Sequence, residues 1–134
     1  MTSIRSSSAL SITGVNPTVK DLTAFLYDLS PLDLEILLFL IKINPQGISL
    51  QNLAGAMDKD KSTVFRSLQR LASKGIVRKE TRPLKERGYY HMYSSIDRAN
   101  LKANIQNRVA EIKKSLDVLL KSFEFDLDKT LKSL

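Results

Sequence analysis

Two stretches with the period of an amphipathic helix lie only three residues apart, joined by Asp58-Lys59-Asp60. In the first, Ser49 can cap, and Leu50, Leu53, Ala54 and Met57 follow at i, i+3, i+4 and i+7. The second opens on Asp60 as cap and runs from Lys61 to about Ser73. It stops at Lys74-Gly75, where Gly75 supplies the left-handed residue after the last turn. A connection this short leaves no slack, so the two helices must pack across one another. After Gly75 the period changes. Residues 76–81 read as a strand, 82–88 as a charged turn and 89–96 as a returning strand rich in β-forming Tyr. Ile48-Ser49 is short enough to pair as a small extra strand. Helix, turn, helix, then hairpin is the layout of a winged helix-turn-helix, a mainly α, α+β class.

Upstream, Asn16-Pro17 is expected to start a helix, with Val19, Leu22, Phe25, Leu26 and Leu29 at helical spacing. Ser30-Pro31 starts a second one, and 32–43 is apolar on nearly all sides, as befits the central core helix. Residues 1–15 are Ser- and Thr-rich without a sustained period and read as a flexible N-terminal arm. Downstream, Asp97 can cap a long helix from Arg98 to about Leu131. The expected division is therefore an arm over 1–15, a winged helix-turn-helix domain over 16–96 and a long C-terminal dimerisation helix over 97–134.

The net charge is +7, and residues 57–87 alone carry ten basic and four acidic side chains. A localised basic block is the electrostatic footprint of a phosphate-binding surface, whereas a charge serving solubility would be spread more evenly. There is no cysteine, which excludes a disulfide framework and a thiolate metal site. The single histidine, His91, sits on a strand of the hairpin without an obvious catalytic partner set. No phosphate-cradling glycine loop and no metal-ligand cluster is visible. No cofactor, no catalytic residue and no metal site is expected, so the chain reads as a non-enzyme. No secretory signal and no membrane-length apolar run is present either, which fits a cytoplasmic, nucleoid-associated protein.

At about 100° per residue, Val64, Leu68 and Leu71 share one face of the helix 61–73, flanked by Phe65 and Ala72. The opposite face gathers Ser62, Arg66, Gln69, Arg70 and Ser73, with Thr63 beside it and no acidic residue after Asp60. Arg can pair bidentately with guanine, Gln with adenine, and Ser or Thr with base or phosphate. Lys61, Ser62, Thr63, Arg66, Gln69 and Arg70 are thus the expected contacts in a major groove of double-stranded DNA. Arg82, Lys85 and Arg87 are expected to place the hairpin on the backbone or in the minor groove. Tyr89, Tyr90 and Tyr93 are expected to pack the small sheet on its core rather than stack on bases.

The pieces Lys61-Ser62-Thr63-Val64, Arg66-Ser67-Leu68-Gln69-Arg70-Leu71 and Lys74-Gly75-Ile76-Val77 resemble the winged-helix core of archaeal and bacterial regulators, the TrmB-like and MarR-like groups. The resemblance covers roughly residues 30–96. It implies a DNA-binding regulator with Lys61, Ser62, Thr63, Arg66 and Arg70 on the recognition helix and 82–87 on the wing. It leaves room for a small-molecule effector without indicating one.

In the last helix, Ile105, Val109, Ile112, Leu116, Leu119 and Phe123 alternate steps of four and three, a heptad seam. A coiled coil with a second subunit is the simplest expectation; a helix folded back on its own domain is the alternative. A homodimer would present two recognition helices to half-sites about one DNA turn apart. The expected function is a sequence-specific transcription regulator. The rival readings are a sequence-independent architectural protein and a winged helix that binds an acidic protein partner.

Overall fold

The computed structural model describes residues 12–14 and 16–134. The arm expected over 1–15 therefore lies, apart from 12–14, outside the described residues. Two compact units divide the chain, Met1–Leu101 and Lys102–Leu134.

In the first unit, helix α1 spans Val19–Tyr27. It begins two residues later than the Asn16-Pro17 signal suggests, because Thr18 and Asp21 take over the cap. The Thr18 N–H and hydroxyl donate to Asp21 Oδ2 at 2.8 and 3.2 Å, which anchors the start of the helix. Helix α2, Pro31–Ile43, follows its sequence signal closely. Ser30 Oγ accepts from the Asp33 N–H at 3.1 Å, Asp33 Oδ2 accepts from the Ser30 N–H at 3.3 Å, and Pro31 occupies the first turn. Ile36, Leu37 and Leu40 are fully buried, so α2 is the axis of the core. Asn44 then ties the following turn to the sheet, donating from Nδ2 to the Ser95 carbonyl at 3.0 Å.

Strand β1 is Ile48–Ser49, helix α3 Leu50–Met57 and helix α4 Lys61–Ser73. Ser49 Oγ caps α3 by accepting from the Asn52 N–H at 3.2 Å. Gly75 has φ +77°, the left-handed stop expected of it. Strands β2, Val77–Pro83, and β3, Tyr89–Ser95, form the hairpin. The sheet is antiparallel in the order β1-β3-β2, with Ile48 opposite Tyr93 and Val77 opposite Ser95. Its base enters the core through Val77, Tyr93 and Ser95, while the rest of β2 is exposed. Tyr93 packs as expected. Tyr89 and Tyr90 do not, because they lie beyond the reach of the core and are exposed.

Asp97 caps the next helix, accepting from the Asn100 N–H at 2.8 Å. The expected continuous helix to about Leu131 is instead two, α5 Arg98–Lys121 and α6 Phe123–Lys132. Ser122 between them has φ −95° and ψ 11°. Its hydroxyl lies 3.2 Å from the Val118 carbonyl and 2.7 Å from Asp126 Oδ2. Such back-bonding competes with the regular ladder and bends or interrupts a helix. In the second unit, Ile105, Val109 and Ile112 are half-buried, whereas Leu116, Leu119 and Phe123 are exposed.

Candidate nucleic-acid interface

Helix α4 is fixed from its first residue. Asp60 Oδ1 accepts from the Thr63 N–H at 2.7 Å and from the Ser62 hydroxyl at 2.9 Å. The Thr63 N–H first, then the Thr63 side chain, the Ser62 hydroxyl and the charge of Arg66 hold the Asp60 carboxyl below the usual carboxylate range. The chain's own carboxylate thus sits at the N-terminus of α4.

The buried face consists of Val64, Ser67, Leu68 and Leu71, at i, i+3, i+4 and i+7. Ala72, expected to flank this face, is exposed, and Ser67 replaces it inside. Lys61, Ser62, Arg66, Gln69 and Ser73 are exposed, and Thr63 is half-buried. At about 100° per residue, Ser62, Arg66, Gln69 and Ser73 fall within roughly 60° of one another, opposite the buried face. This strip carries guanidinium, amide and hydroxyl groups and no carboxylate.

Arg70 stands apart from that strip. Its Nε donates to Asp33 Oδ2 at 3.2 Å and its Nη2 to Asp33 Oδ1 at 2.8 Å, while its side chain stays half exposed. Asp33, 1% exposed, also accepts from the buried Ser67 hydroxyl. Burial pushes the Asp33 carboxyl up. The hydrogen bonds from Arg70, Ser67 and the Ser30 N–H, and the charge of Arg70, more than reverse this and hold it low. Lys74 is a second anchor, donating from Nζ to the Tyr27 carbonyl at 2.5 Å, a cation at the C-terminal end of α1. Sequence reasoning missed Asp33, Ser67 and Lys74. The available signal was a carboxylate at the third position of an otherwise apolar helix.

In the wing, the Leu84 N–H donates to the Gly88 carbonyl at 3.0 Å, and Gly88 has φ +91°, so 84–88 closes as a tight tip. Lys85 and Arg87 are exposed there. Arg82 is engaged differently, with Nε 2.7 Å from Glu80 Oε1, two residues back on the same strand face. That hydrogen bond, reinforced by the Glu80 charge and by Tyr90, raises its already high pKa. His91 lies 3.1 Å from the Thr81 hydroxyl through Nδ1. Among the described residues no group of three or more His, Cys, Asp or Glu could hold a metal ion, and no helix is long and apolar enough to cross a membrane.

Known proteins share this architecture. A possible transcriptional regulator from Methanosarcina mazei Go1 superposes with a TM-score of 0.73 at 24% identity, over 83% of this chain and 95% of that one. The S. aureus MepR–DNA complex gives 0.51 at 18% identity, over 85% and 87%. The winged-helix, MarR-like resemblance therefore holds at the level of the fold. An uncharacterized protein of Methanocaldococcus jannaschii is 26% identical over 109 residues, 81% of each chain. The HVO_A0114 family model matches residues 28–97, which run from the end of α1 through the wing to the cap of α5. That match takes in more than half of the chain, and the chain belongs to the HVO_A0114 family.

Proposed function

We propose that this chain is a sequence-specific transcription regulator that binds double-stranded DNA as a homodimer, in the cytoplasm and on the nucleoid. The observation that carries this reading is the solvent face of α4. Ser62, Arg66, Gln69 and Ser73 form an exposed strip without a single acid. Solvated helix faces ordinarily mix both charge signs, whereas on a face that approaches phosphates each carboxylate opposes binding, so its absence favours contact with a polyanion. Residues 16–96 would read DNA, with Lys61, Thr63 and α4 at the major groove and Lys85 and Arg87 of the wing on backbone or minor groove. Residues 97–134 would pair two chains through the seam from Ile105 to Phe123. A structural neighbour is itself a DNA complex, which supports DNA binding by a chain of this fold.

The test is to incubate the protein with sheared genomic DNA at about physiological salt and sequence what it retains. Enrichment of a few fragments sharing an inverted repeat is expected, with half-sites about one DNA turn apart. Uniform recovery would mark an architectural protein instead. No recovery would leave a winged helix that binds an acidic protein partner.

A further inference from the structure

The Asp33–Ser67–Arg70 cluster holds a buried carboxylate that the reading strip does not use. Asp33 receives the Ser30 N–H, the Ser67 hydroxyl and two N–H groups of Arg70. Arg70 is its sole ion-pair partner among the described residues. The guanidinium is gripped along its Nε–Nη2 edge, which leaves the Nη1 edge to point away from the acid. Were Arg70 to swing off towards a base, it would strand a buried charge without a cation. Around the helix it sits about 40° beyond Arg66 and about 100° from Gln69, on the flank of the strip.

We propose that Asp33 is a positioning residue that fixes Arg70 as a phosphate contact, so that base choice rests on Arg66 and Gln69. This rests on the DNA-binding reading above. The Asp33 charge offsets that of Arg70, so the arginine offers directed hydrogen bonds while displacing little of the counterion atmosphere. Asp33→Asn keeps size and shape but sets Arg70 free with its full charge. Its affinity for a random duplex should then rise, its salt dependence should steepen by about one unit of slope, and its preference for the genomic site should fall. Arg70→Gln should weaken every duplex by the same factor, about tenfold, with base preference intact at all positions.

The experiment measures binding of the full chain to its enriched genomic site, to single-base variants of that site and to a random duplex. Wild type, Asp33→Asn and Arg70→Gln are compared across a salt series, with a thermal melt of each. A merely structural Asp33 would lower both affinities in step with the melting temperature and leave the slope unchanged, which would overturn the proposal. So would Arg70→Gln relaxing the preference at one base pair; where Arg70→Gln alone strands the Asp33 charge and fails to fold, the double variant Asp33→Asn with Arg70→Gln, which removes both charges, reads the same outcome. A wild type that binds no duplex would bring down the DNA-binding reading itself. A wild type that binds while the variants behave as structural ones would bring down the positioning role alone.

Discussion

Val118 and Leu119 adjoin in the chain and are almost equally open, 56% and 58% exposed. They point about 100° apart around α5, and only Leu119 lies on the Ile105–Phe123 seam. Full burial of a Leu is worth about 1.5–3 kcal/mol. With 58% of its surface still open, pairing can gain about 1–1.25 kcal/mol from each copy of Leu119. A two-fold dimer contains the residue twice, so Leu119→Glu should cost about 2–2.5 kcal/mol, raising the dimer dissociation constant about 30–70-fold. Desolvation of the new carboxylate makes this a lower bound. Val118→Glu should stay within about twofold of wild type, since a rim or solvent charge contributes little. Sedimentation equilibrium over a dilution series reads both constants directly. Equal weakening by the two variants, or weakening by Val118→Glu alone, would refute the seam. An unchanged constant for Leu119→Glu would show that this stretch of α5 takes no part in association.

Three further outcomes are expected. Arg66→Ala should cost about 1–3 kcal/mol on the specific site and relax one base position, whereas Arg87→Ala should weaken all duplexes alike and lower the salt slope by about one; titrations on matched and mismatched duplexes separate them. Asp33, held below the ordinary carboxylate range despite its burial, contributes stability that is present above its unfolded value near pH ~4 and lost as pH falls through its folded value. Melting curves taken from neutral pH downward should therefore show a steep acid limb in the wild type that Asp33→Asn flattens. Leu68→Ala, at a site with 0% exposure, should destabilise the first unit by about 2–5 kcal/mol, read from denaturant midpoints at unchanged slope.

Local chemistry made much of the fold legible. Ser30-Pro31, Ser49, Asp60, Gly75 and Asp97 mark element ends through short-range hydrogen bonds or a left-handed φ, and each marks the same end in the structure. Where two caps compete within a few residues, as Asn16 and Thr18 do, the winner depends on a reciprocal partner, and Asp21 decides for Thr18. Ser122 was illegible for another reason, because a serine within an apolar heptad pattern reads as helix until its hydroxyl turns back on the carbonyls. The candidate site divides in the same way. The exposure of Arg66 and Gln69 follows from helical period alone. The engagement of Arg70 is a meeting of residues 37 apart in sequence, and no local pattern encodes it.

Ser49 is at once the end of β1 and the cap of α3. Through Met92 it is registered against β3, and β3 continues directly to the wing tip. A load applied at 84–88 thus passes along a hydrogen-bonded rail into the first turn of α3 rather than dissipating in a loop. Inserting one glycine between Ser49 and Leu50 would act like a hinge cut into that rail. The wing and α4 would each remain folded, yet lose their shared alignment, and under the proposed function affinity for a random duplex would persist while preference for one site is lost.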